Sequence, residues 1–133
     1  MTESGQGVIE RYAAAWRTGD VTTMFELYDD AVLVHYGGTS SFAGTHLGKN
    51  RLIEVLIATT ARSDRILVSI DAVFDNGDSG AIFVTESFRL DAATITVPRA
   101  LRYRVADDRI IECWLFDHDQ HLVDRAWEQQ PPE

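Results

Sequence analysis

A single α+β domain, with one strongly curved, mainly antiparallel sheet wrapped over three N-terminal helices and a short C-terminal helix, follows from three features of the chain. Apolar residues recur at helical spacing in the first half, period-two alternation fills the second half, and Asp-, Asn- and Gly-containing turns separate the alternating runs at hairpin distances. Helices gathered at the front and strands at the back are the pattern of layered α+β architecture.

Taken in order, Val8, Tyr12 and Trp16 recur every four residues with Ile9 and Ala13 beside them, while Glu10, Arg11 and Arg17 fall outside the stripe. Gly19 stops this helix. Asp20 then caps a second one carrying Met24, Phe25, Leu27 and Tyr28, with Asp29 and Asp30 marking a turn. Residues 31–36, AVLVHY, read as a strand, and the following YGGTSSFAG reads as a mobile loop able to gate a pocket. Leu52, Ile53, Leu56 and Ile57 place a third helix over 49–61, behind the permissive Gly48. Four strands follow near 65–75, 79–91, 94–105 and 109–117 as an antiparallel meander. Asp119 caps a last helix bearing Leu122, Val123 and Ala126 and closed by Trp127. The domain is expected over 7–128, with flexible tails at 1–6 and 129–133.

At 133 residues and 45% apolar content the chain suits one core. A formal charge of −9, with Lys and Arg sparse and scattered, argues against nucleic acid and anionic lipid as partners. No charged region followed by an apolar run opens the chain, and no segment approaches a membrane span, so a soluble, cytoplasmic protein is expected. Cys113 stands alone, which excludes a paired-thiol or four-cysteine zinc site and reads as a small core residue.

Chemistry-bearing residues concentrate in a few places. His35 shares a strand face with Ala31 and Leu33; pointing inward it would be a general base, and otherwise a hydrogen-bonded core histidine. Glu86 interrupts the apolar row Ile82, Val84, Phe88, Leu90, so it is protonated, paired with a cation, or facing a polar cavity. His35 is one partner for it; the opposite registry would set Glu86 outside beside Arg102 or Arg104. Asp117 ends the row Ile111, Cys113, Leu115 and is the acid expected at the pocket rim. His118, Asp119 and His121 lack the spacing of a zinc helix, and no metal site is assigned to them. Trp16, Tyr28, Phe88, Tyr103 and Leu115 are candidate pocket-lining residues, as is Tyr12, whose hydroxyl needs a partner if buried. Trp114 and Phe116, flanked by Arg102, Arg104 and Glu112, suggest an outer sheet face that pairs with a second copy as a homodimer.

Three patches, VIERYAAAWRTGDVTTMFELYDDAVLVHY, FAGTHLGKNRLIEVL and RIIECWLFDHDQHLVDRAW, resemble the nuclear-transport-factor-2-like superfamily, which includes ketosteroid isomerase, scytalone dehydratase, limonene epoxide hydrolase and SnoaL-like polyketide cyclases. The resemblance spans residues 7–127 and implies a cone-shaped α+β barrel. By that likeness Tyr12 stands where ketosteroid isomerase has its oxyanion-hole tyrosine, its general-base aspartate falls near His35, and its second oxyanion donor near Leu101. Asp117 or Asp119 matches the acid/base aspartate of the cyclases.

The expectation that results is cofactor-free acid/base catalysis on a small apolar molecule, as an isomerase, cyclase or dehydratase, with Tyr12, His35, Glu86 and Asp117 as the acting groups. No Gly-rich phosphate loop points to a nucleotide. The alternatives are a non-catalytic ligand-binding or dimerisation module, and an epoxide hydrolase, which needs an acid–arginine–acid cluster drawing on Arg99 or Arg102.

Overall fold

A computed structural model describes residues 7–131 and gives the element order α1 (Val8–Thr18), α2 (Val21–Glu26), β1 (Tyr28–Tyr36), β2 (Gly44–Leu47), α3 (Lys49–Ser63), β3 (Ile66–Asp75), β4 (Ser79–Leu90), β5 (Ala93–Ala106), β6 (Arg109–Asp117) and α4 (Gln120–Trp127). The six strands form one sheet in the order β2-β1-β6-β5-β4-β3, antiparallel throughout except where β1 runs parallel to β6. This is the expected α+β fold: a curved, mostly antiparallel open sheet around helices. The expected tail at 1–6 lies outside the described residues.

Local chemistry accounts for the boundaries. Gly19 ends α1 in the left-handed conformation at φ 72°, where its amide bonds back to the carbonyls of Ala15 and Trp16. Asp20 and Asp119 accept hydrogen bonds from the amides of Thr23 and Leu122 and so cap α2 and α4. Replacing Asp119 by alanine is expected to cost about 1 kcal/mol, read as a lowered denaturation midpoint. Asp107 and Asp108 both adopt positive φ, the two-residue turn whose twist suits the β5–β6 hairpin.

Several sequence expectations need correction. The strand β1 begins at Tyr28, so Asp29 and Asp30 lie within it and α2 ends at Glu26. The segment 36–44, read as a mobile loop, runs at its last residue, Gly44, into the unforeseen edge strand β2, and ahead of it the chain is tied to α4. There the Thr39 amide and hydroxyl donate to Asp124 at 3.0 and 3.3 Å, and Ser41 donates to Glu128. Gln129, expected in a flexible tail, donates to the carbonyls of Arg89 and Ala126 and accepts from the Asp91 amide, while residues 132–133 of that expected tail lie outside the described residues.

The core is the concave side of the sheet. Ile82, Val84, Glu86, Phe88 and Leu90 of β4, Val97, Arg99, Leu101 and Tyr103 of β5, and Cys113 and Leu115 of β6 all face it. From the helices come Ile9, Tyr12 and Ala13 of α1 and Leu52 and Val55 of α3. Trp127 closes one end, its ring 5.5 Å from Tyr36, 6.2 Å from Phe42 and 6.1 Å from Phe88, all edge-on. Among the described residues no helix is long and apolar enough to cross a membrane.

Candidate functional site

Between the helices and the concave sheet lies a cavity of about 530 Å³, within the usual range for small-molecule sites. Trp16, Val21, Phe25, Leu56 and Ile57 belong to the helical part of its wall, and Leu67, Leu101 and Leu115 to the sheet. Val21 and Ile57 are more than half exposed, as residues at an opening would be. Tyr12, Tyr28, Tyr36, Arg65 and Glu86 add the polar groups that matter chemically, and among the described residues the last two are the only formally charged ones in the lining.

Glu86 is 2% exposed and does not stand alone. The Arg65 guanidinium grips it with two parallel bonds, Nε to Oε2 at 2.9 Å and Nη2 to Oε1 at 3.1 Å, and Arg99 Nη1 adds a third to Oε1 at 2.8 Å. Arg99 in turn grips Asp117, Nε to Oδ1 at 2.5 Å and Nη2 to Oδ2 at 3.2 Å. The result is a buried chain, Arg65–Glu86–Arg99–Asp117, with the Trp127 ring 5.8 Å from the Arg65 guanidinium and 5.2 Å from that of Arg99. Burial pushes the Glu86 carboxyl up, but the two guanidiniums outweigh it and hold its pKa below the ordinary value. It is an ionised carboxylate held by both arginines. Burial likewise works against the Arg65 cation, and Glu86 overrides it.

The tyrosines supply hydroxyls of the opposite kind. Tyr28 donates to the Tyr12 oxygen at 2.6 Å, which leaves the Tyr12 hydrogen free. Burial drives both hydroxyls to higher pKa, so both remain protonated donors near neutral pH. Tyr36 is raised by burial too, with Arg65 and Arg99 opposing. The Cys113 thiol is pushed up by burial, which keeps it from acting as a thiolate.

The expected site residues therefore separate. Tyr12, Trp16, Tyr28, Glu86 and Leu115 line the cavity. Phe88 and Tyr103 do not: Phe88 packs on Trp127, and Tyr103 lies behind Tyr12 at 5.7 Å between rings. Asp117 points inward, but is held by Arg99 and does not reach the cavity wall. His35 is on the other face of the sheet. There its Nε2 is 2.7 Å from Glu112 and its Nδ1 2.8 Å from the Thr45 hydroxyl, and its ring stacks on Trp114. The inward residues of β1 are Val32, Val34 and Tyr36, so the period-two phase is the reverse of the one assumed, and no His35–Glu86 pair exists. His118 and His121 are exposed and Asp119 is occupied as a cap.

Arg65 and Tyr36 are the site residues that sequence reasoning missed, and Arg99 entered it only through the epoxide hydrolase alternative. Arg99 carried a usable signal, because it interrupts the inward row Val97, Leu101, Tyr103 just as Glu86 interrupts its own. Arg65 carried none, since it sits in the short connection between α3 and β3.

Comparison with known proteins gives a consistent picture. Residues 9–113 match the SnoaL-like domain. A protein of unknown function with a cystatin-like fold from Xanthomonas campestris is 27% identical, covering 90% of this chain and 95% of its own, at a TM-score of 0.81. An NTF2-like protein from Burkholderia xenovorans is 15% identical over 91% of this chain and 93% of its own, TM-score 0.73. A hypothetical protein with a ketosteroid isomerase-like fold from Catenulispora acidiphila, solved in complex with trimethylamine, is 15% identical over 93% and 97%, TM-score 0.68. No curated protein matches the chain.

Proposed function

The chain belongs to the SnoaL-like domain family, and from that membership and the cavity we propose that it binds a small, largely apolar molecule inside the cone, with Tyr12 and Arg65 donating hydrogen bonds to the molecule's one polar end. The observation that carries this reading is the pairing of an apolar wall with a polar group set rich in donors: a free Tyr12 hydroxyl, and an Arg65 guanidinium with five N–H groups of which three are engaged, two by Glu86 and one by Thr59. Filling the cavity from its wall, by Leu56→Trp, is expected to abolish the rise in melting temperature given by a panel of apolar ligands, while shifting the ligand-free protein by no more than about 2 kcal/mol. An undiminished ligand-induced rise in the variant would place binding elsewhere.

Cofactor-free proton transfer, as in an isomerase, cyclase or dehydratase, is the second reading. It is favoured by the protonated Tyr12 hydroxyl as acid and by Glu86, three of whose roughly four acceptor sites are filled, leaving one for a substrate proton. A carboxylate held below its usual pKa is a weak base, and His35 stands outside, so binding takes precedence. Exchange of hydrogens next to a bound ketone with deuterium oxide, followed by NMR, separates the two: catalysis requires exchange that Glu86→Gln removes, and binding alone gives none above that background. The epoxide hydrolase alternative finds its acid–arginine–acid set in Glu86, Arg99 and Asp117, but Arg99 and Asp117 lie behind the cavity wall.

The outer sheet face is proposed as a homodimer surface. Register brings Phe83, Ala100 and Phe116 side by side across three strands, with Phe83 and Phe116 exposed, next to Arg102 stacked 4.7 Å over Trp114. The substitution Phe116→Glu is expected to yield monomers in sedimentation equilibrium with ligand binding retained; a wild-type monomer at all concentrations would contradict this.

A further inference from the structure

The cavity's polar groups have a charge balance that depends on a residue outside the cavity. Arg65 and Arg99 contribute two positive charges and Glu86 and Asp117 two negative ones, joined in a single buried chain of hydrogen bonds. Side-chain exposure along that chain is 7% for Arg65, 3% for Glu86, 1% for Arg99 and 3% for Asp117, so water screens it little. Only Arg65 and Glu86 face the ligand space. Without Asp117, the group would carry a net positive charge next to an otherwise apolar wall.

We infer that Asp117, acting through Arg99, is the specificity-determining residue that makes the pocket select an uncharged hydrogen-bond acceptor over a carboxylate of the same shape. The inference rests on the ligand-binding reading above. An uncharged carbonyl oxygen can take the spare N–H groups of Arg65 and the Tyr12 hydroxyl while every ion pair stays intact. A carboxylate can reach the same spare N–H groups, but it meets a group with no net counter-charge, inside a chain of formal charge −9, so its own charge is desolvated without a compensating cation. Discrimination therefore comes from what the wrong ligand would leave unpaired. Asp117 is a positioning and charge-setting residue in this scheme, with no ligand contact of its own.

The test compares a naphthyl methyl ketone with the corresponding naphthoate by isothermal titration at neutral pH, on the wild type and on Asp117→Asn and Asp117→Glu. The wild type is expected to favour the ketone by roughly tenfold or more, the size of effect that an unpaired charge imposes. In Asp117→Asn the ketone should bind within about threefold of wild type while the carboxylate gains about tenfold, and Asp117→Glu, which keeps the charge, should restore the wild-type preference. A merely structural role would weaken both ligands together. Wild-type protein that binds the carboxylate as tightly as the ketone overturns the inference and leaves the pocket reading standing, and needs no variant to fold. Binding of neither ligand removes the pocket reading and the inference with it.

Discussion

Replacing Arg99 by methionine is expected to destabilise the protein by about 3–5 kcal/mol near neutral pH, the cost of leaving a buried carboxylate without its cation. The substitution keeps most of the aliphatic volume, and what it removes are the bonds from Arg99 to both Asp117 and Glu86. Glu86 retains Arg65, whereas Asp117 has no other basic side chain within ion-pair distance among the described residues. The measurement is urea unfolding of variant and wild type across acid to neutral pH. Because Glu86 is held below the ordinary carboxylate pKa in the folded state, its ion pairs stabilise the fold above the ordinary value, about 4.3 for a free glutamate. That contribution is lost as the pH falls through the lower folded value. Wild-type stability should therefore drop below about pH 5. The gap between wild type and variant should narrow in the same range, since protonating Glu86 ends in the wild type the ion pair with Arg99 that the variant lacks. A gap independent of pH would mean that Arg99 matters through packing alone.

Truncating Trp127 to alanine is expected to cost a similar amount, about 3–5 kcal/mol for a large buried aromatic. The ring is 1% exposed and touches Tyr36, Phe42 and Phe88 while lying against both arginines of the buried chain. Its loss opens the closed end of the cone and loosens the shell that orients Arg65 and Glu86. Ligand affinity should fall along with stability, which distinguishes this variant from Asp119→Ala, where only the cap of α4 is lost. Thermal unfolding with and without an apolar ligand reads both effects. Unchanged affinity in a folded Trp127→Ala protein would show that the arrangement of the polar groups does not depend on the α4 end.

How much of this was legible before the structure follows from what local pattern encodes. Helices α1, α3 and α4 and the four-strand meander were readable because each carries a clean period and a turn or cap with a specific chemistry, such as Asp119 or the Asp107–Asp108 turn. The short edge strand β2, GTHL, follows a Gly- and Ser-rich segment and is too short and polar to show an alternating pattern. For His35 the phase was ambiguous, because Val32, Leu33 and Val34 make β1 apolar on both faces, and a one-residue error in phase moves every side chain to the other side of the sheet. Glu86 announced that it needed a cation, but which cation is a matter of tertiary register. The sheet pairing that sets Arg99 opposite Asp117, and the turn that returns Arg65 from the end of α3, are the long-range facts that answer it.

The central claim, an apolar cavity whose polar end is the Tyr12 hydroxyl and the Arg65–Glu86 pair, is tested most directly by a crystal structure of the protein soaked with a naphthyl methyl ketone. The predicted result is electron density for the ring system among Trp16, Leu56, Leu101 and Leu115, with the carbonyl oxygen within hydrogen-bond distance of Tyr12 or Arg65 and the Glu86 ion pairs unbroken. Density on the outer sheet face instead, or side chains collapsed into the space so that no ligand enters, would contradict it.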